Sequence, residues 1–462
     1  MRNRLSCIAF VAVALLVPAT HLQAEEKAAV DQPGIMELYD LAKAKDPVVG
    51  KAEARLEAGK ADRALAWAGV LPKVSASATQ RKFWHTVLDY GPSTIEGTYT
   101  GYNYGIGGQL PLFNAASYFQ IAATHAGVKG VEAGVDVARQ DLLVRLVDAY
   151  VALLKAQADE QLYRDELHRV GKILEQAEAF LKAGTGDIIA VYEAKARMDS
   201  AAADLIKTEA QRRIAEQALA GLTGITVTKV KDLPVGTPVG PQPNDLSWWL
   251  ETMQKQSPAI RQAREDLRAA AHSSSASWSG HLPTAQLQGG YTVDKGSTFL
   301  PEVETKQWYV GASISLPIFS GGETAARTRR AVAAESERRF ILDDTREQNT
   351  RRLKEAFLNL QYNVSLAEAY KRKHESGEMQ LKATRKGREI GTRNAIDLLN
   401  AEQTYAVARR DLSNALYDNL VRQFELKAAA GILREEDLQA LGVTTAVPSA
   451  PTAGISTDTS GS

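Results

Sequence analysis

Apolar residues recur at alternating intervals of three and four through Leu398, Ala401, Tyr405, Ala408, Leu412 and Ala415, the seam of a left-handed coiled coil. The same seam stands 207 positions upstream at Val191, Ala194, Met198, Ala201 and Leu205 (398 − 191 = 207), and Gly184 precedes Gly391 by the same interval. Self-similarity at that period predicts a tandem duplication, each half folding back at a glycine turn between two long helices. The helical period persists without proline from Asn114 to Ala183 and again from about Gly322 to Ile390, which predicts rods of about 100 Å at 1.5 Å per residue. In the first rod, Leu142, Leu146, Ala149 and Leu153 form one stripe and Leu143, Val147, Tyr150 and Leu154 a second. A double stripe predicts packing partners on two sides. Return helices are expected from Asp187 to about Leu222 and from the Gly391 turn to about Gly431.

Elsewhere the period is two. Helical periodicity from Gly34 to about Ala68 ends at Gly69-Val-Leu-Pro72, after which Val74, Ala76 and Ala78 alternate with polar neighbours, as in a strand with one apolar face. A polar and aromatic loop is expected from Arg81 to Gly101, followed by a second strand in which Tyr102, Tyr104, Ile106, Gly108 and Leu110 alternate with Asn103, Gly105, Gly107 and Gln109. The plan returns in the second half. Trp67-x-Gly-x-Leu-Pro72 reappears as Trp278-x-Gly-x-Leu-Pro283, and Leu110-Pro-Leu-Phe113 as Leu316-Pro-Ile-Phe319. Between them a strand at about Gln286 to Val293 and a loop to Gln307 precede a strand in which Trp308, Val310, Ala312, Ile314 and Leu316 alternate with Tyr309, Gly311, Ser313 and Ser315. The two repeats span about 25–222, with a hairpin near 72–112, and 245–442, with a hairpin near 283–318. A proline-rich connector, 223–244, joins them, and a Ser/Thr/Ala/Pro-rich segment, 443–462, reads as a disordered tail.

Residues 1–24 read as an export signal: Arg2 and Arg4, an apolar core from Ile8 to Val17, and an acceptable cleavage site at Leu22-Gln-Ala24. The only cysteine, Cys7, lies inside it and ahead of the apolar core. The exported chain therefore has no disulfide, no thiol chemistry and no lipid-bearing cysteine. Lys+Arg and Asp+Glu are both 55, a balance that argues against a nucleic-acid partner.

Four strands, each expected to be about nine residues long, are of a length that crosses an outer membrane when tilted, yet four cannot close a barrel. An open edge in lipid leaves backbone groups unpaired, so further copies of the chain must complete it. Tyr102 and Trp308 at one end of the apolar faces, with Phe113 and Phe319 at the other, are placed as interfacial girdles would be. A soluble sheet with one buried face fits the hairpin pattern alone; the export signal, the duplication and the helix length favour the membrane.

Several segments resemble the TolC family of outer-membrane channels, especially its type I secretion branch: Leu316-Pro-Ile-Phe-Ser-Gly-Gly322, Gly391-Thr-Arg-Asn-Ala-Ile-Asp-Leu-Leu-Asn400, Arg410-Asp-Leu-Ser-Asn-Ala-Leu-Tyr417 and Ala428-Ala-Ala-Gly-Ile-Leu-Arg-Glu-Glu-Asp437. With Leu-Pro at each strand entry, the resemblance covers nearly all of the exported chain. The resemblance implies a mainly α, tandem-duplicated homotrimer in which a long α-helical coiled-coil tunnel is continuous with a 12-stranded outer-membrane β-barrel. Outer-membrane lipid, a periplasmic adaptor and an inner-membrane ABC or proton-driven transporter are the implied partners. The alternative is a periplasmic structural coiled-coil or adaptor protein without a pore; adaptors usually carry one helical hairpin, whereas both halves of this chain have one.

No enzyme site is expected, and no cofactor or metal. The seven histidines include no pair at metal-binding helical spacing, and no Gly-x-x-x-x-Gly-Lys-Ser/Thr is present. Acid pairs such as Asp343-Asp344 read as a solvated helix face. Asp397 has two compatible readings. Three residues after Asn394 it resembles a capping box; the family resemblance implies a carboxylate ring at the periplasmic constriction. The same resemblance places a gate at Asp397, Asn400, Arg393, Arg388 and Asp187. Asn400 stands where a second acidic layer is often found, Arg393 matches a tip arginine that tethers the closed mouth, Arg388 replaces a tethering tyrosine, and Ala190 replaces a tip aspartate.

Overall fold

The computed structural model describes residues 32–90, 93–233, 236–296 and 303–443; the expected signal and all but the first residue of the expected tail lie outside them. Ile35–Lys45 (α1) and Pro47–Ala68 (α2) lead into Lys73–Tyr90 (β1) and Ser93–Phe113 (β2), then Ala115–Lys182 (α3) and Ile188–Thr223 (α4). Leu246–Gln256 (α5), Pro258–Trp278 (α6), Thr284–Lys295 (β3), Glu304–Ser315 (β4), Glu323–Glu389 (α7) and Ala395–Ala430 (α8) repeat that order, and Glu435–Val443 (α9) follows. Corresponding helices have 11 and 11, 22 and 21, 68 and 67, and 36 and 36 residues. So close a match of lengths is what duplication of one unit leaves behind.

The helical stretch expected as one piece from Gly34 to Ala68 is two helices. Pro47 has no N–H to give to the preceding turn, and Asp46 stops α1 and starts α2 by accepting hydrogen bonds from the Val48 and Val49 amides, both at 2.9 Å. Its other oxygen pairs with Arg145 of α3 at 2.9 Å, pinning the break to the long rod. The second half repeats the device with Ser257 and Pro258 at the start of α6.

Both stripes of α3 are buried, from Leu142 through Leu154. One core unites them with α1, the end of α8 and the first part of the connector, where Val227, Val230 and Leu233 are buried. Tyr417 donates to Asp232 at 2.6 Å, and Asn419 both donates to and accepts from the backbone of Val239. The connector is irregular but fastened. The expected coiled-coil seams hold: Ala194, Ala201, Leu398, Ala401, Ala408 and Ala415 are buried, the small side chains allowing close helix approach. Packing of α3 on α4 and α8, and of α8 on α7, sets the order α4–α3–α8–α7. The outer helices of that row leave large apolar side chains uncovered, Tyr192, Ile206 and Ile214 on α4 and Leu358, Tyr362 and Met379 on α7.

The four strands form one antiparallel sheet in the order β1-β2-β3-β4. They are longer than the nine residues expected, at 18, 21, 12 and 12. The loop expected from Arg81 to Gly101 is instead a continuation of the β1–β2 ribbon beyond the level at which Tyr102 faces Lys295, the last residue of β3. Polar character obscured this: a two-stranded ribbon standing in water has no face to bury, so alternation fades while pairing persists. Phe83 stacked on Tyr99, centroids 4.6 Å apart, supplies the cross-strand contact that holds it. On the other hairpin, too, the strands run into the expected loop, to Lys295 and from Glu304.

Candidate functional site

Paired residues of a sheet share a face, so the register assigns the faces. Val74, Ala76 and Ala78 lie opposite Gly108, Ile106 and Tyr104; these lie opposite Gly289, Tyr291 and Val293; and these opposite Val310, Trp308 and Lys306. Leu110, Leu287 and Ala312 extend the same face toward the helices. The other face carries Ser75, Ser77, Asn103, Gln109, Gln286, Gln288, Thr292, Asp294, Gln307 and Ser313, with Asn103 donating to Asp294 at 2.5 Å. Tyr309 lies on this polar side, its hydroxyl 3.0 Å from where a Cβ on Gly290 would stand; only glycine leaves room for the ring. Val310 and Ile314 are 83% and 79% exposed. A sheet with a bare apolar face and an opposite face of Ser, Thr, Asn and Gln is built for lipid on one side and water on the other.

The expected girdle residues all lie on or beside the apolar face, at different levels. Trp308 stacks obliquely on Tyr291, centroids 4.5 Å apart, while Tyr102 precedes Ile106, the residue opposite Tyr291, by four positions on β2 and so lies further from the helices. A register shift between Pro111 and Phe113 brings Phe113 opposite Ala285 and so onto the apolar side, and Phe319 is exposed just beyond β4. Tyr104 and Tyr291, unremarked among the strand residues, belong to the aromatic set at the outer end.

At the opposite end of the molecule are the helix tips. Gly184 and Gly391 take φ of +76° and +79°, the left-handed conformation that ends a helix and reverses the chain. Asp187 caps α4, accepting from the Ile189 amide at 3.0 Å. Asn394 and Asp397 form the reciprocal box: Asn394 accepts from the Asp397 amide at 2.7 Å, and Asp397 from the Asn394 amide at 3.2 Å. Arg393 stands 3.9 Å from Asp397 in its own turn. Asp397, Asn400 and Thr404, at intervals of three and four, share one face of α8, with Arg393 in the turn just ahead of it; Asn400 and Thr404 are exposed and Asp397 is half-buried. Arg388 reaches across to Gln176 of α3, donating at 3.1 Å. Asp187, Arg388 and Asn400 border a cavity of about 460 Å³ between the two tips, floored by Ile173, Phe180 and Leu399. The structure thus brings the five expected mouth residues to one end of the molecule.

The sequence profile of the outer membrane efflux protein family matches residues 38–225 and 249–432, one segment for each repeat. The chain belongs to that family. It is 27% identical to the outer membrane protein TolC of Vibrio cholerae serotype O1, over 89% of this chain and 93% of that one. It is 28% identical to the alkaline protease secretion protein AprF of Pseudomonas aeruginosa, over 88% and 86%. The crystal structure of the CmeC outer membrane channel of Campylobacter jejuni superposes with a TM-score of 0.73 at 16% identity, covering 95% of this chain and 98% of that one. This outer membrane efflux protein is a channel of the outer membrane that extends into the periplasm, and the reading as a pore-less adaptor is set aside.

Within the channel's tunnel wall, sequence periodicity missed what joins the two hairpins. The contact between α3 and α8 includes a ladder of polar pairs, Lys155 with Asp418, Tyr163 with Arg410 at 2.9 Å and Arg169 with Glu402 at 3.9 Å; at the tip Gln176 of α3 meets Arg388 at the end of α7. Arg410 also holds Asp411, whose carboxyl stays below the usual range because hydrogen bonds from Lys373 and Arg410 outweigh its burial. Burial raises Glu166 and Asp159 above the usual carboxylate range despite nearby arginines. Such pairs leave no hydrophobic periodicity, which is why heptad analysis passes over them. Among the described residues no His, Cys, Asp or Glu cluster could hold a metal.

Proposed function

We propose that three copies of this chain close into a passive exit duct, a 12-stranded barrel continued by a 12-helix tunnel. The observation that carries this is the sheet: apolar outside, polar inside, and open at both edges, β1 and β4. Joining β4 of one copy to β1 of the next pairs every edge, as lipid requires. The same step brings α7 of one copy against α4 of the next, so that the two uncovered apolar stripes meet. Cargo would pass along the polar face into the helical tunnel and leave above the membrane.

The duct works with a periplasmic adaptor and an inner-membrane ABC or proton-driven transporter, which supplies the energy. Likeness to a protein named for protease secretion favours polypeptide cargo over small molecules. Asp397, Asn400, Arg393, Arg388 and Asp187 form the gate, and opening is a modest unwinding of the return-helix hairpins. Native mass spectrometry and planar-bilayer recording of the purified protein test this together. A trimer with stepwise conductance is expected; a monomer, or a trimer without conductance, overturns the proposal.

A further inference from the structure

Above the aromatic level, the lipid-facing side of the sheet changes character. Lys306 precedes Trp308 by two positions on the same face of β4, about 7 Å further out. Lys295 and Lys306 bracket the single carboxylate of Glu304, their ammonium groups 3.5 and 3.4 Å from its oxygens. Two cations on one anion leave a net positive charge, and both lysines remain more than half exposed. Lys82, on the same face of the projecting β1–β2 ribbon and 5.3 Å over the ring of Trp84, adds another. Trp and Tyr side chains mark headgroup depth in a membrane, so these lysines stand at the level of lipid headgroups in the outward leaflet.

Below them the apolar face is notched. Gly108 and Gly289 lie opposite one another and form the floor of a groove of about 400 Å³ whose walls are Val74 and Ile106 on one side and Trp308 and Val310 on the other. Val74 and Val310 are three strand spacings apart, about 14 Å, wide enough for acyl chains. The floor lies on the central strands, so copies joined at β1 and β4 leave it open to lipid.

We propose that this surface is a binding site for a phosphorylated, acylated lipid of the outer leaflet, with phosphate on Lys295 and Lys306 and an acyl chain in the Gly108–Gly289 groove. The inference rests on the lipid-facing assignment of the apolar sheet face. Charge complementarity and the continuous path from cations over the Tyr291–Trp308 pair into the groove select an anionic lipid over a neutral one.

The test is native mass spectrometry of the delipidated assembly titrated with diphosphoryl lipid A, with the same lipid stripped of its phosphates, and with diphosphoryl lipid A plus inorganic phosphate. Saturable adducts, at most one per chain, are expected with the phosphorylated lipid. Each lysine near an anionic surface is worth about fivefold, so the Lys295→Ser/Lys306→Ser double variant should bind about 25-fold more weakly. Gly108→Leu, where an added Cβ meets only ordinary contacts at 3.7 and 3.8 Å, should weaken both lipids by filling the groove. Equal binding of the dephosphorylated lipid, an unchanged double variant, or full displacement by inorganic phosphate overturns the site. Copy number is read in the same spectrum, so a failure of the trimer is seen separately from a failure of the lipid site.

Discussion

Replacing Asp397 by Asn separates its role as a helix cap from the charge ring proposed for the tunnel mouth. In the capping box its carboxylate accepts the Asn394 amide at 3.2 Å while its own amide donates to Asn394. An asparagine oxygen can take the same bond, so the start of α8 should survive. Losing that arm altogether, as in Asp397→Ala, should cost about 1 kcal/mol. The charge is a different matter. A cation on the axis about 8 Å from each of three carboxylates gains about 1.5 kcal/mol in water before screening. One Debye length at 0.15 M salt reduces this to about 0.6 kcal/mol, roughly a threefold enrichment of cations, and 1 M salt removes most of the rest. Arg393 at 3.9 Å offsets part of the field, so Arg393→Ser should raise cation preference while Asp397→Asn lowers it. Reversal potentials in planar bilayers under a salt gradient, at low and high ionic strength, read both. An unchanged reversal potential in Asp397→Asn, with a folded trimer, would refute the ring and leave Asp397 a cap.

The face assignment predicts that Val310→Arg costs about 2 to 4 kcal/mol of barrel stability, whereas Ser313→Arg, on the water-facing side, costs far less; urea unfolding in lipid vesicles measures both, and the reverse order would invert the sheet. Asp46→Ala should destabilise the helical body by about 2 to 3 kcal/mol, since a buried cap and its arginine pair are lost together although Arg145 retains Asp141; thermal melting checks it, and a loss below 0.5 kcal/mol would mean that Pro47 alone sets the break. Glu166, raised by burial above its ordinary 4.5, favours its neutral form when folded, so its contribution is present below that value and is lost as pH rises through the folded pKa. Glu166→Gln should therefore melt higher than the parent near neutral pH, with the gap closing toward pH 4.5; a gap independent of pH would assign the effect to packing.

How far the sequence reached depended on whether an element buries something. The rods, both glycine tips and the two stripes of α3 were legible because each repeats an apolar position against a fixed neighbour, and duplication reported every signal twice. The Asn394–Asp397 cap was legible because it is local, three residues apart. What escaped was non-local or unburied: the outer half of the β1–β2 ribbon, which pairs in water with no apolar face; the split at Asp46, where helical period runs on across a buried carboxylate; and the α3–α8 ladder, whose Tyr163–Arg410 and Arg169–Glu402 partners are more than 230 positions apart. That ladder separates the mechanics of the two kinds of helix contact. Within each hairpin, small apolar residues such as Ala401 and Ala408 interlock and resist sliding. Between the hairpins, the polar pairs are half-buried and meet end to end without interlocking, Arg169 and Glu402 only at 3.9 Å, so they resist sliding less than the seams do. A mouth that opens by moving one hairpin against the other would therefore part first at the Gln176–Arg388 contact of α3 with α7, then along α3–α8, and stop where Tyr417, Val421 and Phe424 join the buried core.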